Sequence, residues 1–495
     1  MSGTSSPIQS FYKNKTIFVT GATGFMGKVL LEKLLYSCSD LDKIYFLVRP
    51  KKGRSIELRL DDMFKLPIFH RIHQEKGHVL KKLQPLDGDI TMHNLGLTDE
   101  QQETLMKEVH IIFHFAACLR MEAKLKDAVE LNMIGTKRVL DLAKQMKQLQ
   151  VFLHLSTAFC YADKNELDED IYDACHDPNN IIKLVQWIDE STADLITPKL
   201  LGPQPNTYTY TKRLAEILVA REYPNLPCVV ARPSIVTPAV KEPVPGWVDS
   251  LNGPVGILVA GGKGILRTML CNTQHYAEII PVDFAINAVI GISYKVATQE
   301  KLKCMPVYNI THSGTIPVTW GKILEITKSF VYKYPFEKQA WYPDGAPHTN
   351  KFVHNFLLFL FHIIPAYSVD FLMLIFRRER FMVRILKRIL NGIKVLQYFA
   401  LKNWTFDNTK LLTMRNEMSP EDRKTFQIDL EHLDLMEYFK TFVLGTRQYC
   451  MKEDLSSLPK ARRRQTMLYT VHLLTKFLFS FGISYIILKK NKSKL

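Results

Sequence analysis

Eight consecutive residues, Thr20-Gly21-Ala22-Thr23-Gly24-Phe25-Met26-Gly27, restrict the folds open to this chain more than any other feature. They follow an apolar run, Thr16-Ile17-Phe18-Val19, and precede a segment of helical periodicity from Lys28 to Leu35. Strand, glycine turn and helix in that order form the phosphate-binding corner of a dinucleotide site. Gly21 makes the tight turn, Gly24 lets the backbone approach a pyrophosphate, and Gly27 lets helix and strand pack closely. The helix then offers free N–H groups and the positive end of its dipole to the phosphates. Thr23, Phe25 and Met26 complete the turn as cofactor-binding candidates.

A second signal lies in Tyr208-Thr209-Tyr210-Thr211-Lys212. Tyr208 and Lys212, four residues apart on a helix, share one face. An ammonium beside a phenol favours the phenolate and lowers its pKa from about 10. Such a tyrosine exchanges a proton with a carbonyl or alcohol oxygen. Tyr210 has Leu214 at the same spacing, so it has no lysine partner.

Alternating strand and helix patterns run from residue 10 to 300. Strands are expected at Thr16–Thr20, Lys43–Val48, Val109–Phe115, Val151–Ser156 and Cys228–Arg232, and helices at Gly27–Ser37, Lys124–Gln145 and Asn206–Arg221. That order predicts an α/β fold with a doubly wound, parallel Rossmann-type sheet. Gly135-Thr136 inside the second helix suits close packing. The expected domains are a dinucleotide-binding reductase domain over 10–330, a mostly helical domain over 340–450 and an apolar membrane segment over 466–488. Two insertions in the first, 163–206 and 240–270, are candidate walls of a substrate pocket, because ligands sit beyond the carboxyl ends of parallel strands.

Several side chains fall at those strand ends. Arg49 closes the second strand, where an acidic residue would bind the ribose of NAD and an arginine suits the 2′-phosphate of NADP. Lys51, Lys52 and Arg54 add charge beside it. Asp89 and Ile90, in Asp87-Gly88-Asp89-Ile90, are placed to meet an adenine, although Asp-Gly is equally an ordinary turn. Ala116 and Ala117 follow His114 and leave room for the nicotinamide ribose, with His114 read as a packed strand residue. Ser156 and Thr157 lie at the end of the strand expected at Val151–Ser156. One hydroxyl there, together with Tyr208, would bind a reacting carbonyl oxygen, and alternation along the strand allows only one of the two to serve.

Charge and cysteine usage narrow the function class. The chain has 495 residues, a net charge of +16 and 8 cysteines. No C-x-x-C pair appears, and Cys175-His176-Asp177 lacks a third ligand at metal-site spacing, so no metal is expected. Nothing in the sequence neighbourhood of Cys118 or Cys160 would activate a thiolate. The densest basic runs, Arg377-Arg378-Glu379-Arg380, Arg462-Arg463-Arg464 and Lys489-Lys490, flank apolar stretches. That pattern belongs to membrane-associated segments, and no nucleic-acid-binding signature appears. Phe352–Phe376 is apolar but interrupted by Pro365 and Asp370, which predicts a buried or interfacial hairpin. Phe381–Leu401 is amphipathic, with basic residues at helical spacing. Met467–Leu488 is long enough to span a bilayer despite His472 and Lys476. Met1–Lys15 carries no apolar run, so no secretory signal is expected.

Together these stretches resemble the alcohol-forming fatty acyl-CoA reductases, within the extended short-chain dehydrogenase/reductase superfamily. The resemblance rests on Thr20–Gly27, Lys43–Arg49, Gly88–Ile90, His114–Ala117, Leu155–Ala158 and Asn206–Lys212. It extends to Arg232-Pro233-Ser234-Ile235, Gly246-Trp247-Val248-Asp249, Pro281-Val282-Asp283 and, in the C-terminal third, Asn403-Trp404-Thr405-Phe406-Asp407-Asn408. It implies reduction of a long-chain acyl-CoA by two NADPH to a primary alcohol and CoA, with Tyr208, Lys212 and a strand-end hydroxyl as the catalytic set. The superfamily pattern Ser-Ser/Thr-x-x-Val-Tyr, laid on Ser156–Tyr161, makes that hydroxyl Thr157, with Ser156 the alternative. Tyr210 stands where a phenylalanine is usual. The expected partners are the acyl-CoA, membrane lipid and a second copy of the chain. The catalytic domain is expected to face the cytosol at a peroxisomal or endoplasmic reticulum membrane. Ser493-Lys494-Leu495 matches a peroxisomal address, which conflicts with a spanning 467–488. A sterol-type or sugar-nucleotide dehydrogenase and a non-catalytic NADP-binding scaffold are the competing readings.

Overall fold

A computed structural model describes residues 6–49 and 55–492. Lys51, Lys52 and Arg54, and the Ser493–Leu495 tripeptide, lie outside the described residues.

Seven apolar segments pair into one parallel sheet. They are β1 (Ile17–Thr20), β2 (Ile44–Val48), β3 (Leu83–Asp87), β4 (Ile111–His114), β5 (Val151–Leu155), β6 (Cys228–Pro233) and β7 (Val307–Ile310). The order across the sheet is β7-β6-β5-β4-β1-β2-β3. Every residue of β1, β2, β4, β5, β6 and β7 is buried, as the central strands of a two-faced sheet must be. The order reverses between β1 and β4, and a crevice at such a switch point is where doubly wound sheets bind ligands.

Three helices frame that crevice. α1 (Phe25–Ser37) leaves the glycine turn. It is covered on all sides, and even its charged residues are paired: Lys33 Nζ lies 2.5 Å from Glu242, and Arg71 Nε lies 2.6 Å from Glu32. α2 is continuous through Leu125–Val129, a π turn over Glu130–Ile134, and Gly135–Ala143. Gly135 lets Ile90 pack against the helix, since a Cβ would stand 2.8 Å from Ile90 Cδ1. α3 (Thr207–Ala220) starts at Asn206, whose side chain accepts from the Thr209 N–H at 2.9 Å. α2 and α3 bury Met133, Val139, Tyr210 and Leu214 with Phe18, Ile112, Phe152 and Val230 of the sheet in one core. On the opposite face α1 packs along α4 (Val282–Thr298).

The two compact units are interleaved along the chain rather than consecutive. The first comprises the residues up to Trp247, Tyr276–Val318 and Lys402–Leu433; the second comprises Val248–His275, Thr319–Leu401 and the residues from Asp434 onward. Most of the expected 240–270 insertion therefore goes with the second unit, because Thr268–Leu270 pairs with Ala346–His348. Residues 402–433 go with the sheet unit, because Thr405–Phe406 pairs with Glu166–Leu167. The 163–206 insertion contains that short strand and two helices, Pro178–Trp187 and Glu190–Leu201.

Within the second unit, helix Trp320–Lys333 packs on Leu435–Gly445 around Val331, Phe336 and Val443. One expectation about its apolar segments needs correction. The 352–376 run is not broken by Pro365. It forms α5, one helix from Lys351 to Ile375, long and apolar enough to cross a membrane by length and composition. A π turn over Phe359–Ile363 carries the Ile364 N–H back to Phe359 O and accommodates the proline that follows. Asp370 does not interrupt it either: its carboxylate accepts the N–H groups of Phe381, Met382 and Val383 at 3.0, 2.8 and 3.0 Å, fixing the start of α6 (Met382–Ala400). The expected membrane segment 467–488 is part of a longer helix, α7 (Leu458–Lys492). His472 on it is buried, its Nε2 3.1 Å from Asp344 and its Nδ1 accepting from Trp341 Nε1 at 3.2 Å. The first part of the expected span is therefore docked on protein.

Candidate active site

The glycine turn has the shape its sequence demands. Gly21 has φ +76°, and a Cβ there would sit 2.7 Å from the Ala116 nitrogen and the Phe115 carbonyl carbon. At Gly27 it would sit 2.3 Å from Gly21 O and 2.6 Å from Ala22 Cα. The turn thus approaches the end of β4 and the start of α1 at backbone contact. Gly24 is exposed and caps α1 without a side-chain bond, and no acidic residue occupies the first turn. Thr23, Phe25 and Met26 are half-buried around it. This is an open cationic cradle of backbone N–H groups.

Phe25 reveals a role for a motif that spacing alone left obscure. Its ring stacks on Trp247 at 5.4 Å and 24°. Trp247 is buried, so the Gly246-Trp247 motif braces the first turn of α1 rather than lining an open pocket. Asp283 of the Pro281-Val282-Asp283 motif holds the same loop, accepting from the N–H groups of Val240, Lys241 and Glu242 at 3.1, 2.9 and 3.2 Å.

Arg49 and Asp89, from the ends of β2 and β3, stand together, Nε to carboxylate 3.9 Å. Arg49 is exposed. Asp89 also closes a local turn by accepting from the Thr91 N–H at 3.0 Å. Ile90 belongs to the core against Gly135, and its carbonyl accepts from Arg138 at 3.0 Å. Ala116 and Ala117 are half-buried beside Gly21.

A hydrogen-bonded chain ties this corner to α2. Thr136 Oγ1 donates to Asn132 O at 2.7 Å, so His114 Nε2 is the donor in its 2.9 Å contact with Thr136 Oγ1. Thr20 Oγ1 then donates to His114 Nδ1 at 2.7 Å and accepts from the Ala116 N–H at 3.2 Å. Burial, reinforced by the nearby Lys212 ammonium, pushes the His114 pKa down to about 3. The histidine is a neutral strut, not a base. Asn132, which the sequence reading passed over, accepts from the Cys118 N–H at 2.7 Å and donates to Thr211 Oγ1 at 2.9 Å, linking α2 to the loop after β4 and to α3.

On α3, Tyr208 is half-buried and Lys212 buried. Lys212 Nζ donates to Leu155 O at 2.6 Å. Burial lowers its pKa to about 8, against an opposing pull from Glu216. The Tyr208 hydroxyl has the Thr157 side chain for a neighbour, which favours its charged form. Its pKa nevertheless lies above the ordinary phenol value, with burial the main cause and Thr157 pulling the other way. Burial outweighs the expected lowering by Lys212, and Tyr208 is a protonated donor. Ser156 is buried, its Oγ without a hydrogen-bond partner. Thr157 is therefore the strand-end hydroxyl brought to the tyrosine.

Behind this set lies a buried ion pair that spacing could have signalled, because Glu216 follows Lys212 by one helical turn. Arg232 donates to Glu216 at 2.9 and 2.7 Å, both side chains having no exposure. Cys160 donates to Glu216 at 3.2 Å, and burial raises its thiol pKa well above the free value. It is no acyl acceptor. Tyr210 is buried in the core with its hydroxyl 3.1 Å from His176. Among the described residues no cluster of metal-binding side chains occurs.

A family model described as male sterility protein matches residues 19–289, and a second of the same description matches 361–453. Fatty acyl-CoA reductase 1 of Gallus gallus is 37% identical over 464 residues, covering 94% of this chain and 90% of its own. The chain belongs to the fatty acyl-CoA reductase family. Fatty acyl-CoA reductase 2 of Mus musculus is also 37% identical, over 469 residues, 95% of this reductase and 91% of the relative. Among solved structures, the terminal R domain from the myxalamid PKS-NRPS biosynthetic pathway superposes with TM-score 0.57 at 18% identity, over 88% of this chain and 90% of that one. The reductase domain of a nonribosomal peptide synthetase from Mycobacterium tuberculosis gives 0.56 at 18%, over 88% and 91%. These share the fold. In this reductase the glycine cradle, the open end of α1 and the buried lysine fit a nicotinamide dinucleotide.

Proposed function

We propose that this enzyme reduces a long-chain acyl-CoA with two NADPH and two protons to a primary alcohol, CoA and two NADP⁺. The observation that supports it is Lys212, one turn from Tyr208 on α3, held by Leu155 O at the end of β5 and close to His114, whose ring bonds Thr20 at the start of the glycine turn. NADPH would lie along Gly21–Gly27 and supply hydride to the carbonyl carbon in each of the two reductions.

The chain's own residues do the rest. Tyr208 and Thr157 donate hydrogen bonds to the carbonyl oxygen as negative charge develops on it. In the first reduction the tetrahedral species collapses and expels CoA thiolate. In the second, Tyr208 protonates the alkoxide, for which a phenol held in its protonated form is suited. Lys212 supplies positive charge beside the tyrosine and a donor for the cofactor ribose. Arg49, exposed at the end of β2, favours the 2′-phosphate of NADPH over NADH.

The apolar helix α5 supports association with a membrane. In this reading the catalytic unit faces the cytosol at a peroxisomal or endoplasmic reticulum membrane. Deleting Ser493–Leu495 and imaging the protein separates the two sites.

The test of the chemistry is Tyr208→Phe. Acyl-CoA-dependent NADPH oxidation should fall by about 10²–10⁴-fold, while NADPH binding, followed by fluorescence, stays intact. Retained turnover in that variant would remove Tyr208 from the mechanism.

A further inference from the structure

α5 carries its polarity the wrong way round for a soluble helix. His354, His362, Ala366 and Asp370, spaced by multiples of four, are buried. His354 Nδ1 bonds Thr268 Oγ1 at 3.0 Å, and His362 Nε2 accepts from the Arg267 N–H at 3.1 Å. Asp370 holds the start of α6. The polar stripe thus faces protein, and the aromatic side faces out. Phe352 is 79% exposed, Phe371 63% and Phe376 69%, with Phe356, Phe359 and Tyr367 also exposed. A continuous apolar face of this kind on a folded protein marks a surface that meets another phase or partner.

Charge says which. Immediately after α5 come Arg377, Arg378 and Arg380, and on α6 come Arg384, Lys387 and Arg388; all six are exposed, with Glu379 the one acid among residues 377–388. A second copy of the chain would bring the same basic face against itself, which like charges oppose. An anionic lipid leaflet satisfies both features at once, with hydrocarbon for the phenylalanines and headgroups for the arginines.

Resting on the reading that this reductase works at a membrane, we propose that α5 and the basic turn after it form a one-leaflet anchor, lying in the interface of an anionic membrane and not crossing it. Length alone would permit a span. Crossing would tear His354 and His362 from Thr268 and Arg267 and leave both, with Asp370, in hydrocarbon, where polar side chains without partners are costly. Lying flat keeps every one of those bonds.

The full-length protein, freed of detergent, is floated with vesicles of phosphatidylcholine alone or with about 30% phosphatidylserine. It should bind the anionic vesicles and bind the neutral ones weakly. Phe352→Glu/Phe371→Glu/Phe376→Glu should lower the bound fraction by about ten-fold or more. Arg377→Ala/Arg378→Ala/Arg380→Ala should weaken binding about five-fold for each arginine, on the anionic vesicles only. An unchanged circular-dichroism melt and unchanged NADPH binding show that each variant is folded. Glu379→Cys on bound protein should react with a membrane-impermeant maleimide added outside intact vesicles, at a site mapped by peptide mass. Protection of that cysteine until detergent is added would establish a span and overturn the proposal. Equal flotation of the phenylalanine variant would place the lipid contact elsewhere and overturn it too. So would a dimer in solution that the phenylalanine variant dissociates. Failure of the parent chain to float on either vesicle would bring down the membrane reading along with the anchor.

Discussion

Lys212 is the residue whose charge the account depends on most. Its folded pKa is depressed to about 8 by burial, so the ammonium is present below that pH and is lost as pH rises through it. Tyr208, held above the ordinary phenol value, stays protonated across the same range. The profile of kcat/KM for NADPH should therefore be level in the neutral range and fall about ten-fold per pH unit on an alkaline limb beginning near 8. Initial rates on both sides of that pH measure it. A profile level to about pH 10, the free-lysine range, would mean that the Lys212 charge is not needed. At this scale the placement of Tyr208 and Lys212 one turn apart on a helix is legible from a four-residue spacing. The state of Tyr208 is not, because its pKa depends on burial, which only the fold sets.

Among the elements, the braced start of α1 makes the sharpest prediction. Phe25 of the glycine turn stacks on the buried Trp247, whose loop is held by Asp283. Trp247→Ala removes that brace. It should cost about 3–5 kcal/mol of stability and weaken NADPH binding; thermal melts with and without cofactor read both. Loss of stability with unchanged cofactor affinity would show that the brace does not shape the cradle. Strand–turn–helix order is readable from periodicity because β1 and α1 obey local rules. The brace is not, since residues 25, 247 and 283 meet only through the fold. The continuity of α5 through Pro365 was hidden for a different reason: proline normally signals a break, and the preceding π turn accommodates it.

At the scale of the molecule, the chain crosses between its two compact units several times. Composition suggested consecutive domains, because a change in hydropathy near residue 340 is a local signal and strand pairing is not. Residues 402–433 complete the sheet unit: Asn309 Nδ2 donates to Asp407 O at 2.7 Å, and buried Glu169 accepts from the Lys410 N–H at 2.7 Å. A fragment ending at residue 340 should thus lack a cooperative melt, whereas a chain of consecutive domains would yield a folded fragment. The parallel, doubly wound class of the sheet follows from strand and helix alternation; the discontinuous boundary does not. The most direct test of the whole account is product analysis of the solubilised full-length protein given palmitoyl-CoA and NADPH. Gas chromatography should find hexadecanol, with two NADPH consumed for each alcohol and each CoA released. Release of aldehyde with one NADPH consumed, or no turnover of any long-chain acyl-CoA, would contradict it.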